Sequence, residues 1–440
     1  MEGTSFVRRH PHPLPEWTDR QVNSKELRPL WLAPFLAAGA ACSFAAPEPG
    51  PVTTDACVIR ELDRRRLTLA DGLDVYVEPQ AVGALADGFF VAGQPTYAWT
   101  VGASGRVAMV SSRGFLGVEV AGSDVVPIPL VPGVRHVGQV KAARPGPGRT
   151  SFLLEEVDRP SIGEAEPLRI VHAEYASGRW TGLEELPVPP GGHLTFPAAS
   201  ALTAREDGSL AWATPFVRER GGIDVLLYEY EPGAGWRWSL AVRDWADEVG
   251  LVTLSDGRLA LGVGGLDPEF GSQLASIRAM VRDTAWSFPR RLDLGSDDDR
   301  FRTPTYLSTN AALDLLWLRT NDPRGTSEAW VVTGLGGADE RAPARLDPHA
   351  VLASAVASGV GGAHILTYHA DATLGLQQLR VHRRGAAGYA LVGTLPYPFT
   401  GPFTTLMTPT GELLVIGAEA PPDPMTPSVR SLVIRLSTCT

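Results

Sequence analysis

Apolar and polar positions along this chain fall into short runs, not long stripes. A small turn followed by a near-continuous apolar run recurs along it. It stands at Asp87-Gly88-Phe89-Phe90-Val91-Ala92, at Gly148-Arg149-Thr150-Ser151-Phe152-Leu153-Leu154 and at Asp207-Gly208-Ser209-Leu210-Ala211-Trp212. It returns at Asp256-Gly257, Asn310 to Trp317, Gly361-Gly362-Ala363-His364-Ile365-Leu366 and Thr410-Gly411-Glu412-Leu413-Leu414-Val415. From Gly88 onward these turns advance by about 50 to 60 residues, a period typical of propeller blades. Many units then carry an alternating strand, such as Asp224 to Gly233, and a Gly or Ala shortly before Trp180, Trp236 or Trp286. Four strands of about five residues fit such a unit.

No segment sustains a 3.6-residue apolar period. Pro348 to Val360 comes nearest, and its Val, Ser and Gly content suits an inner strand better. The pattern therefore predicts an all-β chain with a single β-propeller of four-stranded blades over residues 57–440, seven in number, with six and eight as alternatives. Cys57 to Leu62 and Ser431 to Cys439 share an alternating pattern and are expected to pair as outer strands of one blade. Closure of that kind removes two free sheet edges.

In a four-stranded meander the first and third turns share one face, and the second connection and the blade-to-blade connection share the other. The Asp-Gly turns are first turns, so their face reads as tightly sewn. Longer polar connections mark the opposite face: Glu155 to Arg169, Pro215 to Asp224, Gly264 to Gln273, Arg319 to Glu328 and Gly417 to Ser428. Polar loops gathered on one side of a rigid scaffold are where binding tends to reside. The binding candidates are accordingly Asp298, Arg300, Arg302, Asp244, Trp245, Arg218 and Arg319. Asp297, Asp298 and Asp299 in a row, followed by Arg300 and Arg302, suit a structural cation or an acidic sugar gripped by Arg forks, and no other cofactor is expected.

Charge narrows the partners. The formal net charge is −10, and only Lys25 and Lys141 are lysines. Nucleic acid, which demands a concentrated positive face, is not expected. Near the N-terminus, Arg28 to Glu48 encloses an uncharged stretch, and Leu30 to Cys42 supplies an apolar run of signal-peptide length after Arg8, Arg9, Lys25 and Arg28. Gly39-Ala40-Ala41-Cys42 resembles the lipobox of bacterial lipoproteins, which implies cleavage before Cys42 and lipidation of its thiol; ordinary signal-peptidase cleavage near Ala40 or Ala41 is the alternative. Residues 1–42 are thus read as a leader and the Pro-rich 43–56 as a tether. The remaining cysteines, Cys57 and Cys439, flank the folded region and would pair in an oxidising compartment. The expected place is outside the cytoplasm, as an outer-membrane or cell-surface lipoprotein or in the periplasm. The chain would touch membrane only through its lipid and act as a monomer.

The turn-strand and Gly-x-Trp rhythm resembles sialidase-related and BNR-type propellers, and Phe301-Arg302-Thr303-Pro304 resembles the Phe-Arg-Ile-Pro motif of sialidases. That resemblance implies a carboxylate-binding role for Arg302, and it would let Tyr228 with Glu229 or Glu231 imitate a nucleophile pair. In an alternating strand these three residues read as ordinary buried and exposed positions. His364 and His369, five apart on one strand, point to opposite faces and would not share a metal. His193 reads as a loop residue. No nucleophile elbow, phosphate loop or dinucleotide fingerprint occurs in a suitable setting. The reading is a binding or protein-interaction module for an envelope protein or glycan, with no catalytic residue assigned. A sialidase-like glycan hydrolase or lyase is the alternative.

Overall fold

The computed structural model describes residues 59–438, apart from 71–74, 76, 78–79, 86, 94–97, 102–106, 111–114, 147, 159–166, 196–201, 206, 245–247, 254–256, 267–274, 283–284, 288–289, 293–302, 310–313, 322–325, 336–339, 359–361, 372–373 and 420–429. The described residues hold strands and turns and no helix.

After β1 (Glu61–Arg66), β2 (Ala81–Ala84) and β3 (Gly88–Ala92) open blade 1. A hairpin of β4 (Ala98–Val101) and β5 (Val107–Val110) is inserted before β6 (Phe115–Ala121) and β7 (Asp124–Pro129) complete it. Blade 2 is β8 (Val137–Gly146), β9 (Arg149–Val157), β10 (Pro167–Ala176) and β11 (Arg179–Glu185). Blade 3 splits its inner position between β12 (Gly192–Leu194) and β13 (Leu202–Ala204), which both pair with β14 (Leu210–Arg218); β15 (Ile223–Glu231) and β16 (Gly235–Val242) follow. Blade 4 is β17 (Glu248–Thr253), β18 (Leu259–Leu266), β19 (Ala275–Arg282) and β20 (Arg290–Arg291). Blade 5 is β21 (Thr303–Thr309), β22 (Leu315–Asn321), β23 (Thr326–Val332) and β24 (Ala344–Asp347). Blade 6 is β25 (Ala350–Ser358), β26 (Gly362–Asp371), β27 (Leu376–Gly385) and β28 (Gly388–Pro396). Blade 7 is β29 (Phe399–Met407), β30 (Leu413–Glu419) and β31 (Ser431–Leu436), and β1 returns as its outer strand. The chain is a seven-bladed β-propeller.

The second strand of each blade explains the apolar runs. Alternate residues of a strand face opposite sides, and here both sides meet another blade. Phe90 faces blade 2 while Phe89 faces blade 7; Ala211 faces blade 4 while Leu210 and Trp212 face blade 2. Seven apolar clusters fill the seven junctions in this way. A fully buried large apolar side chain contributes about 1.5–3 kcal/mol, so the ring is held by many similar increments.

All seven recurring turns lie between the inner and second strands of a blade. Gly148, Gly208, Gly257, Gly362 and Gly411 sit there at φ between +73° and +87°, a region that side chains disfavour. The Gly-x-Trp rhythm marks the third turn at Trp180 and Trp236, which enter the outer strands β11 and β16.

Closure occurs as expected between the first and last strands, with a shifted start. The first strand begins at Glu61, not Cys57, and pairs Glu61 with Leu436 and Arg66 with Leu432. Its sequence Glu-Leu-Asp-Arg-Arg-Arg leaves it mostly exposed, which suits an edge strand that must not recruit another sheet. Ser437 donates its N–H to the Arg60 carbonyl at 2.9 Å, and Leu67 donates to Ser431 at 3.0 Å, so the seam is stitched at both ends. Cys42, Cys57 and Cys439 lie outside the described residues.

Candidate functional site

The third strands of blades 1, 2 and 3 end alike, in Glu119-Val120-Ala121-Gly122, Glu174-Tyr175-Ala176-Ser177-Gly178 and Glu229-Tyr230-Glu231-Pro232-Gly233, with the first glutamates spaced 55 residues apart. In the ladders Glu119 stands opposite Phe90, Glu174 opposite Ser151 and Glu229 opposite Ala211. Directly opposed residues share a face. Because Phe90 and Ala211 face the following blade, Glu119 and Glu229 do too.

The three carboxylates meet different surroundings. Glu229 is gripped from two sides: Arg282 Nη1 of blade 4 donates at 2.7 Å and Arg205 Nη2 of its own blade at 3.4 Å. Glu174 has one ion-pair partner among the described residues, Arg149, at 3.6 Å. Glu119 makes no hydrogen bond or ion pair among the described residues. The register shows why. Arg205 directly follows the inner strand β13, and the residue in that place after β2 is Leu85; both donate their N–H across the first turn, to Ser209 and Gly88. Arg282 stands opposite Leu259, two residues after Gly257, and Tyr175 stands opposite Thr150, two residues after Gly148. Leucine and tyrosine replace the two arginines.

A cleft of about 600 Å³ opens at this point between blades 1 and 2, lined by Leu85, Asp87, Glu119, Arg144, Thr150, Tyr175 and neighbouring turn residues, with Pro409 reaching in from blade 7. Burial, with Asp87 adding to it and Arg144 opposing it, holds the Glu119 carboxyl above the usual range. Burial and then Glu119 push the Tyr175 hydroxyl up as well. The buried Nε of Arg144 has no hydrogen-bond partner among the described residues. Tyr175 is 4% exposed, and its ring packs on Trp180 at 4.9 Å, so the wall it forms is rigid. A second groove of about 310 Å³ runs along the closure junction between Arg65, Phe89, Thr408 and Arg435. It shares Asp87 and Pro409 with the first. Both lie on the face of the tight turns, which the sequence marked as closed.

Of the residues singled out from sequence, the opposite face carries Arg218, Asp244 and Arg319. Arg218 and Asp244 are brought together: the guanidinium pairs with Asp244, its Nε lies 3.8 Å from Asp224 Oδ2, and Asp244 donates its N–H to Asp224 Oδ1 at 2.9 Å. These charges staple the end of blade 3. The connection from Pro215 to Asp224 is no long loop: β14 and β15 meet across a four-residue turn, with Arg218 donating to the Gly222 carbonyl. The connection from Arg319 to Glu328 is equally short, because β22 runs on to Asn321. Arg319 lies on β22, opposite Pro304 and Glu328. Trp245, Asp297, Asp298, Asp299, Arg300 and Arg302 lie outside the described residues.

Tyr228 is buried and its hydroxyl donates to the Pro187 carbonyl at 2.8 Å, while Glu229 faces the other way; the alternation holds and no nucleophile pair forms. His364 is enclosed in the core, whereas His369 Nδ1 lies 2.8 Å from the buried Asp347, so the two do not converge. His193 sits exposed on β12, a strand residue. Among the described residues no group of His, Cys, Asp and Glu could hold a metal ion.

Junction 5/6 holds a buried polar network. Asp347, fully enclosed, accepts from Thr367 Oγ1 at 2.7 Å and from the His349 N–H at 3.0 Å, besides His369. Burial alone would raise its carboxyl, but the bonds from His369, Thr367 and His349 together hold it below the ordinary range. Arg380 Nη1 adds an ion pair to the same carboxylate at 3.6 Å.

No family model matches the chain, and no curated protein matches it. Among solved structures it is similar to a protein of unknown function from Dyadobacter fermentans, at 13% identity over 70% of this chain and all of that one, with a TM-score of 0.46. It is also similar to the polysaccharide lyase Uly1, at 10% identity over 88% of this chain and 98% of that one, with a TM-score of 0.45. The NanB sialidase from Streptococcus pneumoniae is similar at 8% identity over 74% and 70%, with a TM-score of 0.42. No residue role is carried over from them.

Proposed function

We propose that the propeller is an exported binding module, tethered to the envelope through a lipid on Cys42, that engages a partner on the face of its tight turns. The observation that carries this reading is the pair of adjoining cavities sharing Asp87 and Pro409, one of which holds the buried Arg144 Nε and the Glu119 carboxyl, neither with a hydrogen-bond partner among the described residues. Buried polar groups in folded proteins are nearly always paired, and those left open in a concave site mark a place for a ligand. Rigid strands fix these groups, so little ordering is required when a partner arrives. The apolar Leu30 to Cys42 run and the Pro-rich tether support export and anchoring.

Two measurements test the reading. Intact mass of protein from its native membrane fraction should begin at Cys42 with acyl chains added; a chain starting at Met1 overturns the anchor. For the face, lipid-free Cys42→Ser protein is incubated with native envelopes after a polyethylene glycol chain is attached at Ser177→Cys, on the tight-turn side, or at Arg220→Cys, on the opposite side. Retention should be lost with the first and kept with the second. Equal retention by both overturns the assignment of the face.

A further inference from the structure

We infer that the cleft between blades 1 and 2 receives the guanidinium of an arginine side chain from a partner polypeptide. The inference rests on the reading above for the face involved and adds the chemistry of the contact.

The internal repeat supplies the argument. At junction 3/4 the glutamate that ends the third strand is enclosed by two guanidinium groups, those of Arg205 and Arg282. At junction 1/2 the same carboxyl is present as Glu119, the two places are taken by Leu85 and Tyr175, and a cavity of about 600 Å³ remains. The backbone around it has kept the shape that holds an arginine against a glutamate, without the arginine. A guanidinium entering from outside would meet Glu119 and the exposed Asp87 as two carboxylate partners, with the aromatic wall of Tyr175 beside it.

Among the described residues Arg144 is the cation that acts on Glu119, and its effect is smaller than the burial that raises the carboxyl. The strands flanking Glu119 offer only Phe90 and Val126 opposite it. The carboxyl therefore sits at a raised position on the pH scale, and an arriving cation stabilises its ionised form. Binding of a cation should then release protons and weaken on acidification. A carboxylate ligand held by Arg144 and protonated Glu119 would show the opposite pH trend. The chain's net charge of −10 favours approach of a cationic segment.

The test uses the full folded chain and N-acetyl-arginine amide, with the uncharged isostere N-acetyl-citrulline amide as control, by calorimetric titration at pH 8 and pH 5. The expected result is saturable binding of the arginine probe that falls several-fold at pH 5, is absent with citrulline, and drops about tenfold or more in Glu119→Gln. Glu229→Gln, which alters the occupied junction, should leave it unchanged. Binding that survives Glu119→Gln, that matches citrulline, or that strengthens at pH 5 overturns the inference. Absence of any binding by the arginine probe also overturns it, while retention on envelopes through the Ser177 side would still stand.

Discussion

Junctions 3/4 and 1/2 of this ring share one ladder register around a third-strand glutamate and differ in the two side chains placed to answer it. At 3/4, Arg205 and Arg282 close on Glu229. At 1/2, Leu85 and Tyr175 leave Glu119 beside a cavity. The first arrangement spends its charge on holding two blades together; the second keeps it available. Junction 5/6 is a further reference point, since Asp347 there is enclosed and fully hydrogen-bonded. Whether the repeated carboxyl is answered from within the ring thus separates the two kinds of junction.

The comparison yields predictions of decreasing size. Asp347→Ala should remove about 3–5 kcal/mol of unfolding free energy, because His369, Thr367 and the His349 N–H lose their common acceptor in a dry site. Denaturant unfolding checks this. A loss below about 1 kcal/mol would place the network outside the set that holds the ring.

Acid should loosen the packed junctions next. Burial lowers His172, His364 and His382 from an ordinary 6.5 to about 4, with Arg149 adding to the effect at His172, Arg383 at His364, and Asp347 opposing it at His382. Between pH 6.5 and 4 the unfolded chain takes up these protons and the folded chain does not, so stability is full above the upper value and falls as pH drops toward the lower. Each group contributes up to about 3 kcal/mol to that fall. His364 is the sharpest probe, because neither ring nitrogen has a hydrogen-bond partner among the described residues. His364→Leu should raise stability at pH 7 and flatten the acid limb; urea midpoints across that pH range would reveal either failure.

The glutamates should respond more mildly and in opposite senses. Glu229→Gln is expected to cost about 1–2 kcal/mol, since two guanidinium groups at a partly exposed position lose their counter-charge. Glu119→Gln is expected to be neutral or slightly stabilising, because the carboxyl it replaces is held above its ordinary range. Equal losses in the two variants would erase the distinction between the junctions.

The ring was legible in the chain because its markers are local. Glycine at positive φ in first turns and two-sided apolar second strands such as Phe89-Phe90-Val91 announce a blade without reference to any other segment. Closure was legible in outline, but the charged run Glu61 to Arg66 does not look like a strand until Ser431 to Leu436 is placed beside it. The cleft was not legible. Leu85 and Tyr175 are ordinary strand-end residues, and their meaning lies in the arginines they replace two blades away. The signal available was the glutamate repeat at 119, 174 and 229, ending each third strand before a turn glycine. Asp297 to Asp299 and the long polar connections carry the stronger local signal, and two of those connections are tight hairpins in the folded chain.

The most direct test of the central claim is the thermal stability of Leu85→Arg, alone and combined with Glu119→Gln, in the absence of any ligand. If junction 1/2 keeps the shape of an arginine site, the single variant gains stability by rebuilding the pair seen at Arg205 and Glu229, and the gain disappears in the double variant. If Leu85→Arg lowers the melting temperature by the same amount in both backgrounds, the cleft is ordinary surface and the account is contradicted.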